Sequence, residues 1–346
     1  MSSVTTILSK RSVTVAEDVN YNSAFDYHKR RSLKDLLNIF ETELKLFNVL
    51  TIAVFHCLFV WIIFSFPFLQ KLRLVAWGMF IGGANGFGIT GGVHRFWSHR
   101  SYKAKLPLRI ILMICFSMAA QNSIYDWVRD HRVHHKFTET DADPHNSKRG
   151  FFFAHVGWLM MKKHPDVVKK GKEVDMSDVL ADPVVRFHQK HFGLLKLLLG
   201  FIVPAVVPPL LWGEDWFWSI TFISIFRYVL SLNCTWLVNS AAHIWGAKPY
   251  DKKISPSENL GVSIMSMGEG WHNYHHTFPW DYKTAELGKY SVNLTTFWID
   301  VFAKIGWAYD LKTPSKTLIE NVIRNHGDGS HPISKSFVEV PKESTF

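Results

Sequence analysis

The chain has 346 residues, 47% of them hydrophobic, and a formal net charge of +10 from 39 Lys and Arg against 29 Asp and Glu. Its three cysteines, Cys57, Cys115 and Cys234, lie in separate apolar stretches with no C-x-x-C spacing, which excludes a zinc ribbon or a disulfide framework. The positive charge flanks apolar runs, so cytosolic orientation and anionic partners account for it better than nucleic-acid binding does.

Residues 1–32 are polar and mixed and predict a flexible tail without the apolar core of a cleavable signal peptide. The stretch SLKDLLNIFETELKLF (32–47) predicts an amphipathic helix leading into the first of four uncharged runs. These are Leu46–Leu69, Leu74–Val93, Leu197–Gly213 and Tyr228–Ala247, the last extending back to Trp216 across Arg227. A membrane crossing needs roughly 20 apolar residues, about 17 at the short end. The expectation is an all-α integral membrane protein with four transmembrane helices, near 46–69, 74–93, 194–213 and 216–238. They pair as two hairpins, the first turning near Pro67 and the second at Glu214 and Asp215. Residues 94–191 and 239–325 then form a helical cytosolic cap within a single domain spanning 33–325, and 326–346 read as a loose tail. Lys29, Arg30, Arg31 and Lys34 before the first run, and Arg95, Arg100, Lys103, Lys105 and Arg109 after the second, place both termini in the cytosol.

Ile110–Tyr125 is a further uncharged run of 16 residues. Were it to cross, the histidines on its two sides would face opposite sides of the membrane, so it reads as a buried or membrane-skimming helix.

Nine of the 18 histidines fall into tight groups. They are His94 and His99 in HRFWSH, His131, His134 and His135 in RDHRVHH, His243 in NSAAH, and His272, His275 and His276 in WHNYHH. At about 100° per residue, H-x-x-H-H aims three imidazoles from one helix face. The i, i+5 pair His94/His99 shares a face less neatly and is expected to straddle a helix end. An isolated histidine is ordinarily a core or surface residue, but two H-x-x-H-H copies and a third pair at cytosolic ends need a common cause. Neutral imidazole suits iron, zinc, copper or nickel. Nine donors exceed one metal's needs, whereas two metals with four or five ligands each would use the set. Asp126, Asp130, Glu139, Asp141, Asp143, Glu269 and Asp281 surround the groups, as acceptors for the second ring N–H or as partners of Arg129, Arg132 and Lys136.

The segments HRFWSHR, RDHRVHHKFTETDADPHN, NSAAHIWGAKPYD and GWHNYHHTFPWDY resemble the histidine boxes of membrane stearoyl-CoA-type (delta-9) acyl-CoA desaturases, most of all the insect ones, over about 33–309. The resemblance implies a di-iron centre in the cap, held by His94, His99, His131, His134, His135, His243, His272, His275 and His276, with Asn239 holding a water. It implies a reaction that removes two hydrogens from an unactivated acyl chain, using O2 and two electrons from cytochrome b5, which an NADH-dependent reductase supplies. Cleaving an alkyl C–H bond calls for a redox-active metal such as iron rather than zinc. The chain has no G-x-G-x-x-G placed between a strand and a helix, so it carries no nicotinamide or flavin fingerprint and electrons would come from a partner.

By the same resemblance Asn48, Arg129, Asp130, Lys162 and Lys163 sit near the CoA head group. The Lys162–Lys163 pair stands where an Arg-Lys pair is expected, weakening bidentate phosphate contacts. Gln121, Asn122, Trp127, Thr235 and Trp236 match the walls of a bent acyl tunnel, although core packing explains a buried tryptophan equally well. Where some relatives carry a bulky tyrosine at the tunnel's far end, FIGGANGFGITGG offers Gly82 and Gly86. Glycine there predicts a deeper tunnel or, alternatively, close helix packing.

The leading expectation is a fatty acyl-CoA desaturase of the endoplasmic reticulum membrane, surrounded by lipid and making a cis double bond at delta-9. A desaturase of other regiospecificity, such as a delta-11 enzyme of pheromone or cuticular lipid synthesis, and a histidine-box hydroxylase are the enzymatic alternatives. A membrane metal transporter is the alternative of another class, but its ligands would lie inside the spans, where His56 is the main histidine.

Overall fold

The computed structural model describes residues 41–286 and 289–338. The tail expected over 1–32 and most of the amphipathic helix expected over 32–47 lie outside these residues. The described end of that helix is a strap instead. Lys45 N–H donates to the Met160 carbonyl at 2.8 Å, and Lys162 N–H to the Glu43 carbonyl at 2.8 Å. With those backbone groups paired across the chain, helix α1 starts only at Leu46 and runs over Leu46–Ser65.

Helix α2 spans Leu72–Phe87 and continues without a break as a π-helix over Gly88–Ser98. Helix α3 (Leu106–Met118) and helix α4 (Ile124–Phe137) follow in the cap. Ser123 caps α4, accepting from Asp126 N–H at 3.1 Å while its hydroxyl donates to the Asp126 carboxylate at 2.8 Å. This reciprocal pairing fixes where the H-x-x-H-H helix begins. The long helices α5 (Pro183–Trp212) and α6 (Trp216–Ile244) form the second hairpin. Helices α7 (Leu294–Lys304) and α8 (Lys316–His326) complete the cap, and one antiparallel pair, Lys103–Ala104 with Ala308–Tyr309, closes its edge.

Among the described residues, three helices are long and apolar enough to cross a membrane: α1, α5 and α6. The expected crossing at 74–93 corresponds to α2 and its π-helical extension, a glycine-rich stretch less apolar than the other three. Both expected turns are present. Phe66–Lys71 joins α1 to α2, Gly213–Asp215 joins α5 to α6, and the Lys71 ammonium donates to Glu214 at 2.6 Å. The two hairpins therefore turn at one end of the molecule, and α2 and α6 carry their histidines at the other.

The second hairpin holds together around a buried cation. Short π turns interrupt α5 at Leu198–Ile202 and α6 at Phe222–Phe226, and a π turn shifts carbonyls out of the regular ladder. Arg227 donates to the carbonyls of Ile223 at 3.0 Å, Met118 at 2.9 Å and Gly200 at 2.5 Å. One guanidinium thus ties α5, α6 and the end of α3. This explains why a single arginine interrupts the fourth apolar run.

The extra uncharged run is α3, whose 13 residues are too few to cross. It packs Leu108, Leu112, Met113 and Phe116 into the main apolar core beside Val93 and Trp97 of the π-helix. The approach is close: a Cβ on Gly88 would lie 2.2 Å from the Phe116 backbone nitrogen. The end expected to be loose after Asn325 is docked as far as it is described. Lys252 N–H donates to His326 O at 3.0 Å, Lys248 N–H to the Asp328 carboxylate at 2.6 Å, and His331 is buried beside Tyr250. Its Gly, Ser and Pro content makes turns rather than disorder.

Gly88→Val forces backbone apart, so it is expected to destabilise the protein by about 1–3 kcal/mol or more. Gly83→Val, at a position with nothing within 4 Å of its Cβ, should not. Thermal unfolding of the two variants in detergent checks this.

Candidate metal centre and acyl cavity

The π winding resolves the awkward His94/His99 spacing. His99 N–H donates to His94 O at 3.2 Å, an i to i−5 bond, and the two rings stand 4.9 Å apart. The wider π turn, closed by i to i−5 bonds, brings i+5 nearer to the face of i than an α-helix does. His99 also follows Ser98, the last π-helical residue, so the pair straddles a helix end as expected. No periodicity argument built on the α-helix finds this, although the glycines of GITGG make room for the wider turn.

All nine predicted histidines converge, in two groups. His94, His99, His131, His135 and His275 form one; His134, His243, His272 and His276 form the other. Within the first, Nε2 atoms face each other at 3.0 Å for His94/His275, 2.8 Å for His99/His131 and 3.0 Å for His135/His275. Within the second, His272 Nε2 lies 3.0 Å from that of His243 and 3.2 Å from that of His276. Ligands about 2.1 Å from one metal and at right angles to each other are about 3 Å apart, so these spacings fit two metal ions.

Carboxylates behind the rings set which nitrogen points inward. His134 Nδ1 lies 2.8 Å from Asp143, His94 Nδ1 2.8 Å from Glu269, and His243 Nδ1 3.6 Å from Glu139. With the proton on Nδ1, each Nε2 lone pair faces its group. Burial pushes the Asp143 carboxyl up, but His134 and His145 outweigh it and hold it well below the usual range. Burial, then neighbouring imidazoles, hold His99, His131, His135, His272, His275 and His276 well below the ordinary histidine value. They are neutral, as ligation requires. Of the seven acids near the boxes, Asp143 and Glu269 lie within 2.8 Å of a ring nitrogen, and Glu139 stands farther off while accepting from the Ser147 and Ser255 hydroxyls. Asp126 and Asp130 pair with Arg129, Asp281 accepts from the Tyr274 hydroxyl, and Asp141 is exposed.

Two cavities meet at the histidines. The larger, about 540 Å³, runs from His94, His131, His134 and His272 to Phe68, Phe222 and Phe226. The smaller, about 290 Å³, is lined by Asn48, Gln121, Asn122, Asp130 and Trp236 among others. Trp127, His131, Thr235 and Asn239 line both. A hydrogen-bonded bridge stands at the junction: Trp127 Nε1 donates to Gln121 Oε1 at 3.0 Å, and Gln121 Nε2 to Thr235 Oγ1 at 3.1 Å. Trp127 also stacks on His131, with 5.0 Å between centroids.

The five residues expected near a CoA head group separate. Asn48 and Asp130 line the smaller cavity, Asn48 donating to Leu159 O at 2.8 Å. Arg129 and Lys163 both pair with Asp130. Lys162 pairs with Glu43 of the strap at 2.5 Å and is absent from the cavity lining. Gly82 and Gly86 line the larger cavity, but differently. A Cβ on Gly82 meets nothing within 4 Å, whereas one on Gly86 would lie 2.5 Å from Met267 Sδ. Gly82 therefore opens the cavity, and Gly86 allows Met267 to approach. Sequence reasoning missed the walls supplied by Met267, Leu230 and Ser231, which no motif marks.

Two polyhistidine groups that could each hold a metal ion, at the junction of two cavities in a helical protein with helices long and apolar enough to cross a membrane, fit the class of membrane metalloenzymes. Comparison with known proteins narrows the class. The family model "Fatty acid desaturase" matches residues 71–298. The chain is 57% identical over 263 residues to the acyl-CoA Delta-9 desaturase of Acheta domesticus, covering 76% of this chain and 73% of that protein. It is 49% identical over 301 residues to an acyl-CoA Delta(11) desaturase of Spodoptera littoralis, with 87% and 89% covered. It is 51% identical over 283 residues to stearoyl-CoA desaturase 5 of Bos taurus, with 82% and 84% covered. The chain belongs to the fatty acid desaturase family.

Asp143→Asn leaves His134 without its ionised acceptor and is expected to weaken metal binding by about 10–100-fold. Metal titration of the stripped protein, followed by elemental analysis, measures the effect.

Proposed function

We propose that the protein is an acyl-CoA desaturase that introduces a cis double bond, at delta-9, into a saturated fatty acyl chain. It would work as a four-span protein of the endoplasmic reticulum membrane with both termini cytosolic, using O2 and electrons from cytochrome b5 and its NADH-dependent reductase. The observation that carries this reading is the meeting of both histidine groups with a largely apolar cavity of about 540 Å³. The tied turns at Lys71 and Glu214 support α2 as the fourth crossing, because two hairpins need four.

The two histidine groups would hold two iron ions, which when bound supply the oxidising power for an unactivated C–H bond. The remaining work falls to side chains of this protein. The Asn239 amide lines both cavities and makes no hydrogen bond to another described residue, which leaves it available to a water. The Trp127–Gln121–Thr235 bridge would bend the acyl chain between the cavities, selecting the carbons beside the histidines and favouring cis geometry. Asn48, Asp130, Arg129 and Lys163 would hold the CoA end at the mouth of the smaller cavity. Lys162 would join them through exchange of its exposed Glu43 partner, an exchange that costs little at the surface. Phe68 and Phe222 would meet the methyl end of the chain, with Gly82 leaving room beside it.

A second reading differs only in the carbon attacked. Relatives named for delta-9 and delta-11 positions stand at 57% and 49% identity, so a few wall residues, rather than the fold, would set the position.

Expression in yeast lacking its own desaturase should restore growth without added unsaturated fatty acid, with mass spectrometry locating a 9,10 double bond. Membrane-inserted His134→Ala should make no product, and a His134→Ala protein of normal activity would refute the reading. Separately, Gly82→Tyr should shift the products toward shorter chains; an unchanged chain-length profile would show that the larger cavity does not measure the chain.

A further inference from the structure

Helix α7 carries no histidine, yet it reaches the five-histidine group through one side chain. Arg95 follows His94 on the π-helix and is fully buried. Its Nε and Nη2 donate to Glu269 Oε1 at 3.0 and 2.8 Å. Its Nη1 donates to Tyr282 O at 2.9 Å and Thr296 Oγ1 at 3.0 Å, and Nη2 also to Asn293 Oδ1 at 3.2 Å. A guanidinium has five N–H groups, and all five are used.

The arrangement is directional. Arg95 takes one oxygen of Glu269 with two donors, and the other oxygen lies 2.8 Å from His94 Nδ1. The far side is anchored as well: Asn293 caps α7, accepting from Thr296 N–H at 3.2 Å, and donates to Lys283 O at 2.8 Å. The equivalent carboxylate of the four-histidine group needs no cation. Asp143 is held by the backbone N–H groups of Glu139 at 2.8 Å and His145 at 3.0 Å.

We propose that Arg95 is a positioning residue for the five-histidine site. It carries the placement of α7 through Glu269 to the His94 ring and keeps His94 Nε2 facing His275. An imidazole turns about its Cβ–Cγ bond with little resistance, and the acceptor at Nδ1 selects the orientation that binds metal. Neither Arg95 nor Asn293 touches a metal-facing nitrogen. The proposal rests on the reading of the nine histidines as an iron centre.

The test uses the full-length protein in detergent, with iron per chain from elemental analysis and the environments of the two irons from Mössbauer spectra. Loss of an outer partner weakens a metal site about 10–100-fold, so Arg95→Met should empty one site and reduce iron to about half. Glu269→Gln should do the same, and the double variant should fall no further than either single one. Arg95→Met with Asp143→Asn should deplete both sites. Asn293→Ala, which removes one of the five bonds, should perturb the same spectral component to a smaller degree; it is the deciding variant should Arg95→Met fail to fold. Full iron with an unchanged spectrum in Arg95→Met, an unperturbed spectrum in Asn293→Ala, or additive losses with Glu269→Gln would each overturn the proposal. Wild-type protein that takes up no iron would overturn the metal reading itself, an outcome distinct from these.

Discussion

Nine imidazoles whose ring nitrogens converge on two points form the constraint on which the rest of the structure depends. Lone pairs about 3 Å apart repel, and each buried nitrogen without a partner costs about 1–3 kcal/mol. Bound cations reverse that balance, and metal-binding free energies of about 10 kcal/mol or more are then available to the fold. Much of the cap serves to hold this unfavourable arrangement ready. The π-helix brings His94 and His99 together, Ser123 starts the helix of His131, His134 and His135, and Asp143 and Glu269 stand at the outer nitrogens of His134 and His94.

The same constraint shapes the apolar part. Histidines on α2 and α6 must arrive at one end of the molecule, so both hairpins must turn at the other. The Lys71–Glu214 bond sits at that point. The π turns of α5 and α6 leave carbonyls exposed within the helix pack, and Arg227 satisfies them. Charge inside the apolar region is therefore structural glue at Arg227, whereas polar groups around Trp127 and Gln121 shape the cavity. The two roles differ in their partners: Arg227 donates to three backbone carbonyls, and the Trp127–Gln121–Thr235 bridge of side chains stands where two cavities join.

Family membership and regiospecificity live at different scales. The histidine groups and their supports lie in the cap, where each ring's direction depends on the partner behind it. The wall of the larger cavity is made of Gly82, Met267, Leu230, Ser231 and similar residues, each of which would contact only a part of an acyl chain in the proposed function. Relatives named for different double-bond positions can thus share about half of their residues with this chain.

Much of the site was legible in the sequence because metal ligation demands rare residues at fixed spacing. Two H-x-x-H-H boxes, the HRFWSH pair and the lone His243 identified all nine converging histidines, and the uncharged runs located the long helices and both turns. Tertiary structure alone decided how the nine divide into five and four, since that depends on where four separate segments meet. It alone chose Asp143, Glu139 and Glu269 from seven nearby acids, and showed that Gly82 opens a cavity while Gly86 admits Met267. It also turned the described end of the expected 32–47 helix into a strap and the described part of the expected loose tail into a docked segment, because backbone pairing with distant residues outweighs local propensity. Spacing along a chain records directions within one element; distances between elements exist only once the chain has folded.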